Sequence, residues 1–226
     1  MAPRSSSPRA VLCAVLDAAA LGAKPADAAL ALFQAGVDWI QLRDRSLETH
    51  ALQALTCTLV EARDLAMDRT KNACLVVVNR RIDIALSTGA DGVHLGFDAL
   101  DPATAAYLLP ETSLIGVSLH SVREVERLAE IAQGTSRFYA HLAPIWDPRS
   151  KPASRPALGL DRLADACDSG PRILAQGGLD PTRAAQAIRA GAAGIAVTGL
   201  LTASRNPISA VRRLRDSLDR QILPEG

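Results

Sequence analysis

The chain has 226 residues, of which 48% are hydrophobic and only 3% are aromatic, and its formal net charge is +1. This length fits one α/β barrel and is short for two ordinary domains. We therefore expect a single domain over residues 10–226, preceded by a disordered tail over residues 1–9. A net charge this close to zero favours neither nucleic acid nor an anionic membrane as a partner. No apolar stretch is long enough to span a bilayer.

The cysteine pattern points to a reducing compartment. Cys13, Cys57, Cys74 and Cys167 form no CxxC pair and show no metal-ligand spacing, which favours reduced thiols in a cytoplasmic protein. The apolar run near the N-terminus resembles a signal peptide only weakly, because Asp17 interrupts it. The sequence therefore predicts a cytoplasmic location.

Short apolar runs alternate along the chain with longer amphipathic ones. The apolar runs predict strands at residues 12–16, 37–43, 73–78, 92–95, 114–118, 138–143, 173–175 and 194–198. The amphipathic runs predict helices at residues 25–35, 47–67, 82–88, 102–108, 122–132, 160–166, 181–190 and 207–218. Buried strands separated by helices indicate a parallel sheet, and eight such units predict a single (β/α)8 barrel. An open doubly wound sheet is the alternative.

Three predicted helices are followed by glycine on the way into the next strand. Gly36, Gly89 and Gly191 stand where a left-handed residue ends a helix. In a barrel these turns lie at the N-terminal face, where residues serve stability rather than chemistry.

The turns after the last two strands have the composition of a phosphate site. Gly177 and Gly178 follow strand seven, and Asp180 then suits the N-cap of the next helix. Thr198 and Gly199 end strand eight. In (β/α)8 enzymes the loops after strands seven and eight commonly bind a substrate phosphate through backbone N–H groups.

Polar side chains follow the other strands. Those that suit a phosphate ester are Arg43, Arg45, Asn79, Ser118, His120 and Lys151. Some of them have structural alternatives. Arg43 and Arg45 could pair with Asp44 and Glu48, whereas Arg80 or Arg81 could hold a carboxylate such as Asp83. His94 stands inside a strand and is expected to be a hydrogen-bonded core residue, as His50 and His141 are expected to be structural.

Six segments together carry a resemblance to a known family. They are QLRDRS (41–46), NRRIDIALSTGADGVHLG (79–96), IGVSLHSVREV (115–125), APIWDPRSKP (143–152), AQGGLDP (175–181) and GIAVTGLL (194–201). In this order they resemble the thiamine phosphate synthase and thiazole tautomerase superfamily, a (β/α)8 family of thiamine biosynthesis. The resemblance covers about residues 12–218.

The resemblance implies a role for each matched residue. It assigns Arg43 and Arg45 to diphosphate binding, and Asn79, Ser118 and Lys151 to the substrates. It assigns Gly177, Gly178, Thr198 and Gly199 to the thiazole phosphate. His120 matches the histidine that moves a proton in the tautomerase branch, and neutral imidazole suits that task.

Two departures concern the metal. Synthases of the family carry magnesium-binding aspartates where this chain has Arg80 and Ala99, although Asp98 or Asp101 could stand in for them. Mg²⁺ needs hard oxygen ligands. The leading expectation is therefore a thiazole phosphate tautomerase that needs no metal or other cofactor, with His120 as general acid and base.

Two alternatives stay open beside the tautomerase. One is a thiamine phosphate synthase that condenses hydroxymethylpyrimidine diphosphate with thiazole phosphate and uses Mg²⁺. The other is a barrel that binds such phosphates without turnover. The expected partners are small molecules, not nucleic acid or membrane, and a homo-oligomer is compatible with the fold.

Overall fold

A computed structural model describes residues 9–96, 99–147 and 155–221. Eight parallel strands form a closed barrel in which each strand pairs with its sequence neighbours and the last pairs with the first. Helices follow the strands and cover the outside of the barrel. The predicted single (β/α)8 barrel is confirmed, and the open sheet is excluded.

The observed elements agree closely with the predicted ones. The strands are β1 Val11–Leu16, β2 Trp39–Leu42, β3 Leu75–Asn79, β4 Gly92–Leu95, β5 Leu114–Leu119, β6 Phe138–Leu142, β7 Arg172–Gln176 and β8 Gly194–Val197. The helices are α1 Ala18–Leu21, α2 Pro25–Ala35, α3 Thr49–Thr70, α4 Ile82–Thr88, α5 Pro102–Leu108, α6 Val122–Ala132, α7 Gly159–Cys167, α8 Pro181–Arg189, α9 Gly199–Thr202 and α10 Pro207–Asp219. The single-turn helices α1 and α9 were not predicted, because four residues are too few to show a helical period.

Two aromatic side chains fill the barrel interior together with small aliphatic ones. Trp39 and Tyr139 meet edge to face with ring centroids 5.0 Å apart. Gly116 makes room for this pair, since a Cβ at that position would lie 2.2 Å from the Tyr139 ring. Although only 3% of the residues are aromatic, the inner cluster of the barrel holds a Trp and a Tyr.

At the N-terminal face of the barrel, two aspartates clamp pairs of strands in the same way. Asp38 precedes β2, donates its N–H to Leu12 O and accepts the Leu12 N–H on Oδ2 at 2.7 Å. Asp91 precedes β4 and makes the same two bonds with Val76, the second of them also at 2.7 Å. These reciprocal bonds fix the backbone where the strands begin.

An arginine from an outer helix reinforces each clamp. Arg215 of α10 donates to Asp38 Oδ2 at 2.9 Å, and Arg63 of α3 donates to Asp91 Oδ2 at 2.6 Å. Arg9 adds an ion pair, with its Nη1 3.2 Å from Asp38 Oδ1. Residues 1–8 of the predicted tail lie outside the described residues. The N-terminal face is therefore held together by ion pairs, in keeping with a stabilising role.

No helix in the described ranges is long and apolar enough to cross a membrane.

Candidate active site

His120 lies directly after β5 at the C-terminal mouth of the barrel, in a defined tautomer. Its Nδ1 is 2.6 Å from the carbonyl oxygen of Ala143. A carbonyl only accepts hydrogen bonds, so Nδ1 carries a proton, and Nε2 is the ring nitrogen that this bond leaves for a ligand. The Glu124 carboxylate accepts the His120 backbone N–H at 2.5 Å and fixes the segment from the first turn of α6.

The ring of His120 borders a cavity of about 510 Å³. Ala143, Pro144 and Arg155 line the same cavity. Arg155 was not among the predicted site residues, because a lone arginine in a proline-rich loop carries no distinctive sequence signal. Lys151, assigned to the substrates by resemblance, lies outside the described residues.

A polar layer forms the floor of the mouth. Ser118 Oγ is 2.8 Å from His94 Nε2, and His94 Nδ1 is 3.2 Å from the Tyr139 hydroxyl. Burial, reinforced by His141 and Arg43, keeps the pKa of His94 well below its usual value, so the ring stays neutral. The expectation that His94 is a hydrogen-bonded core histidine is confirmed. The hydrogen bond between Ser118 Oγ and His94 Nε2 makes Ser118 part of the floor.

Gln41 is the functional candidate that the sequence analysis missed. It is 1% exposed, and its Oε1 accepts the Asn79 side-chain amide at 3.3 Å. Its Nε2 has no hydrogen-bond partner in the described part of the chain. The Gln41 side chain also acts on the hydroxyl of Tyr139, so its role is to hold Asn79 and the interior of the barrel in place. The signal was a polar residue inside the otherwise apolar strand WIQL.

His141 completes the floor beside His94, with ring centroids 4.2 Å apart. Burial lowers the pKa of His141 to about 3, so it is neutral at physiological pH. Among described residues its Nε2 finds no partner. The sequence suggested a structural histidine, and its burial agrees with that.

Arg43 and Arg45 follow β2 at the rim of the mouth, and both are exposed. The pKa of Arg43 is lowered by partial desolvation and then by the positive charges of Arg45 and Arg80. The alternative pairing with Asp44 is wrong, because that carboxylate accepts from the backbone N–H groups of Ala18, Ser46 and Leu47 and from the Ser46 hydroxyl.

The suggestion that one arginine after strand three holds Asp83 is confirmed for Arg81. The Arg81 Nε and Nη2 atoms lie 2.8 and 2.6 Å from the two carboxylate oxygens of Asp83. Its neighbour Arg80 stands between the mouth and an outer cleft of about 420 Å³ over α4 and α5, lined largely by Ile82, Leu86, Leu100 and Leu108.

The glycine turn after β7 has little space for any side chain. Gly177 and Gly178 have φ of 98° and 63°. A Cβ at Gly177 would lie 2.9 Å from Pro144, and one at Gly178 would lie 2.6 Å from the Asp147 carbonyl oxygen. Arg183 of α8 donates to Gly178 O at 2.6 Å and so fixes the turn. These contacts require glycine at both positions.

Backbone donors in the two predicted phosphate turns are available to a ligand. Within residues 9–96, 99–147 and 155–221, the N–H groups of Gly177, Gly178 and Gly199 find no acceptor. The three glycines are half-buried and Thr198 beside them is exposed. Asp180 caps α8 as predicted, by accepting the Arg183 backbone N–H at 2.9 Å.

The described residues do not fit a magnesium ion. No cluster of three His, Cys, Asp or Glu side chains suited to a metal occurs in the described ranges. Asp101, one suggested substitute ligand, instead caps α5 by accepting from Ala103 and Thr104. Asp98, the other, lies outside the described residues. Arg80 and Ala99 supply no oxygen ligand through their side chains.

Comparison with known proteins decides the family. The family model described as thiamine monophosphate synthase matches residues 12–201. The chain belongs to this family. It is 34% identical over 196 residues to the thiamine-phosphate synthase of Albidiferax ferrireducens, covering 86% of the chain and 84% of that protein. It is also 34% identical over 202 residues to the thiamine biosynthesis bifunctional protein ThiM/ThiE of Symbiobacterium thermophilum, covering 88% of the chain but only 40% of that longer protein.

A solved structure confirms the family fold. The thiamine phosphate pyrophosphorylase of Pyrococcus furiosus superposes with a TM-score of 0.79 at 22% identity, covering 94% of this chain and 96% of that one. The family model and the curated relatives confirm the resemblance that the six sequence segments indicated, and with it membership of a family of thiamine biosynthesis.

Proposed function

We propose that this protein is a thiamine phosphate synthase, which joins hydroxymethylpyrimidine diphosphate to thiazole phosphate. The names of the relatives favour this alternative over the tautomerase that the sequence analysis preferred. The observation that carries the proposal is a mouth with two separate edges whose residues suit anions, one of arginines after β2 and β3 and one of glycine turns after β7 and β8, over a polar floor. Two phosphorylated substrates need two such edges.

Each part of the mouth has a task in this reaction. The N–H groups of Gly177, Gly178 and Gly199 hold the thiazole phosphate. Asn79, which is half-buried and donates to Gln41 Oε1 and to the His94 carbonyl oxygen, contacts the pyrimidine ring. Arg43 and Arg45 hold the diphosphate and stabilise the negative charge that develops as it departs. The thiazole nitrogen then forms its bond to the methylene carbon as the carbon–oxygen bond to the diphosphate breaks.

The synthase alternative carries the expectation of Mg²⁺, for which the described ranges offer no group of three His, Cys, Asp or Glu side chains, and no step of the mechanism is assigned to the ion here. The proposal places the enzyme in the cytoplasm, which agrees with its four free cysteines.

Thiazole phosphate tautomerase is the second candidate, and one observation favours it. The bond from His120 Nδ1 to the Ala143 carbonyl leaves Nε2 basic beside an open cavity, as a residue that moves a proton requires. The synthase reaction as written above transfers no proton. Substitution of His120 therefore separates the two candidates.

The test incubates the purified protein with both synthase substrates, in the presence of either Mg²⁺ or EDTA, and measures thiamine phosphate by chromatography. We expect product, and we expect His120→Asn to keep at least a third of the rate. A tautomerase would instead convert carboxythiazole phosphate and form no thiamine phosphate from the synthase substrates. His120→Asn would abolish that conversion. Binding of thiazole phosphate with neither turnover would identify the non-catalytic barrel and contradict both candidates.

The phosphate turn has a matched pair of substitutions. Gly178→Ala places a Cβ 2.6 Å from the Asp147 carbonyl oxygen, and we expect KM for thiazole phosphate to rise about tenfold or more. Gly134→Ala is the control, because its φ of 78° is similarly strained but its Cβ would meet no atom within 4 Å. Equal effects of the two changes on KM would contradict the assignment of the turn.

A further inference from the structure

The Gly177–Gly178 turn after β7 is in direct contact with the loop that follows β6. Ile145 of that loop donates its N–H to the Gln176 carbonyl oxygen at 2.9 Å. A Cβ added at Gly178 would lie 2.8 Å from Trp146 Cβ and 3.0 Å from the Trp146 carbonyl oxygen. The position of the turn therefore depends on how the β6 loop is held against it.

Arg183, in the first turn of α8, joins the two segments. Its Nη1 donates to the Gly178 carbonyl oxygen at 2.6 Å, and its guanidinium carbon lies 5.6 Å from the centre of the Trp146 ring. A guanidinium over an indole ring makes an attractive cation–π contact, which gains strength as the two groups are removed from water. Arg183 and Trp146 are both half-buried. One side chain thus holds both the glycine turn and the β6 loop.

The bond to Gly178 also sets the direction of the next N–H group. A trans peptide is planar, so the Leu179 N–H points away from the Gly178 carbonyl oxygen and therefore away from Arg183. Leu179 is 8% exposed, and within the described ranges its N–H has no acceptor. Backbone N–H groups of buried residues rarely lack an acceptor. The Leu179 N–H therefore joins those of Gly177 and Gly178 as a donor that a ligand can use.

The turn after β8 lies beside these donors. β7 and β8 pair Gln176 with Ala196, so Gly177–Gly178 runs next to the segment that leads through Thr198 to Gly199. Successive backbone N–H groups that converge in turns form concave sites for anions. A phosphate between the two turns would receive N–H groups from both of them.

We propose that Arg183 is a positioning residue for the bound phosphate. It orients the Gly178–Leu179 peptide so that the Leu179 N–H becomes a further phosphate donor, and it ties this peptide to Trp146. Arg183 acts through the backbone, because its guanidinium contacts the carbonyl side of the peptide, and this hydrogen bond polarises the peptide so that its N–H donates more strongly. That the ligand is thiazole phosphate rests on the proposed synthase function, whereas the role of Arg183 requires only a phosphate in the turn.

The experiment compares the kinetics of Arg183→Met with those of the parent, because methionine keeps an unbranched apolar stem and removes the guanidinium. We expect KM for thiazole phosphate to rise about fivefold or more, while kcat and KM for hydroxymethylpyrimidine diphosphate change less than about twofold, as for lost ground-state binding of one substrate. Arg183→Lys keeps a charged donor and should stay within about threefold of the parent.

Arg189→Gln is the matched control on the same helix. Arg189 is exposed and donates to Gln221 at 2.7 Å, far from either turn in the sequence of contacts described above. We expect both KM values to stay within about twofold of the parent. An equal rise of KM for thiazole phosphate in Arg189→Gln and Arg183→Met would overturn the proposal.

Trp146→Leu tests the contact with the β6 loop. Without the indole ring the guanidinium is held less firmly, and we expect KM for thiazole phosphate to rise about two- to threefold. If Trp146 acts through Arg183, the double variant should be within about 1.5-fold of Arg183→Met alone. Losses that multiply in the double variant would contradict this coupling.

Melting temperature and binding of inorganic phosphate, measured by calorimetry on the same variants, separate the remaining outcomes. A lower melting temperature of Arg183→Met together with equal rises in both KM values would assign Arg183 to the fold alone and overturn the proposal. Phosphate binding that Arg183→Met weakens about fivefold, in a protein that forms no thiamine phosphate, would keep the positioning role and remove the synthase. Thiamine phosphate formed by Arg183→Met with an unchanged KM for thiazole phosphate would keep the synthase and remove the positioning role.

Discussion

The two ends of the barrel use the same residue types in opposite ways. At the N-terminal face, Asp38 and Asp91 each hold a strand N–H and an arginine from an outer helix. At the C-terminal mouth, Arg43 and Arg45 have no ion pair among the described residues, and their neighbour Asp44 is used by backbone donors. Charge thus stabilises the fold at one end and is left available to a ligand at the other.

The strongest test of this contrast removes a charge from the N-terminal face. Asp38→Ala removes one of the two carboxylates that contact the buried Arg215 guanidinium, leaving Asp219 at 2.7 Å, and it orphans the Leu12 N–H. We expect the free energy of unfolding to fall by about 3–5 kcal/mol, as for other broken buried pairs. Urea denaturation measures this loss. A loss below about 1 kcal/mol would show that the clamp contributes little.

An intermediate effect on the free energy of unfolding is expected from the neutral histidines of the floor. His141 titrates near 6.5 when unfolded, but burial lowers its pKa to about 3 in the folded protein. Because the pKa is lowered in the folded state, only the unfolded chain takes up a proton as the pH falls below about 6.5. The free energy of unfolding therefore decreases as the pH falls through this range. We expect a loss of about 2 kcal/mol at pH 5 from His141, and His94 adds to it in the same direction.

Urea denaturation at pH 7.5 and at pH 5 measures this slope. His141→Gln should flatten it, whereas His50→Gln, at an exposed position, should leave it unchanged. An unchanged slope in His141→Gln would mean that this ring is not held neutral by the fold.

The smallest expected effect on stability lies at the rim. Arg43→Gln removes an exposed charge with no ion pair in the described chain, so we expect the free energy of unfolding to change by less than about 0.5 kcal/mol. The same variant should bind pyrophosphate about tenfold more weakly. Destabilisation comparable to that of Asp38→Ala would break the contrast between the two faces.

The sequence predicted which polar residues follow the strands but not how their side chains meet in the floor of the mouth. Arg43, His120 and the Gly177–Gly178 turn follow apolar strands, and the end of a continuous apolar run is visible in the sequence. The bond from Asn79 to Gln41 and the contact between the His94 and His141 rings depend on which side chains meet across the barrel, which one sequence does not show. The clamps are hidden for the same reason, since Arg215 lies 177 residues from Asp38.

The choice between reactions was harder than the choice of fold. The predicted preference for the tautomerase rested on His120 and on the missing metal ligands, and the names of the relatives favour the synthase instead. A histidine at this strand end is compatible with both branches, so it locates the site without naming the chemistry. The assignments of Lys151 and Asp98 stay predictions.

The repeated aspartate clamp has a consequence for how barrels of this kind can be assembled. Asp38 precedes β2 and binds the second residue of β1, and Asp91 precedes β4 and binds the second residue of β3. The first half of the barrel is therefore made of two units of one design, each locked by its own carboxylate. A cut between β2 and β3 leaves both locks intact, which makes that junction the natural place to recombine quarter-barrels from different relatives.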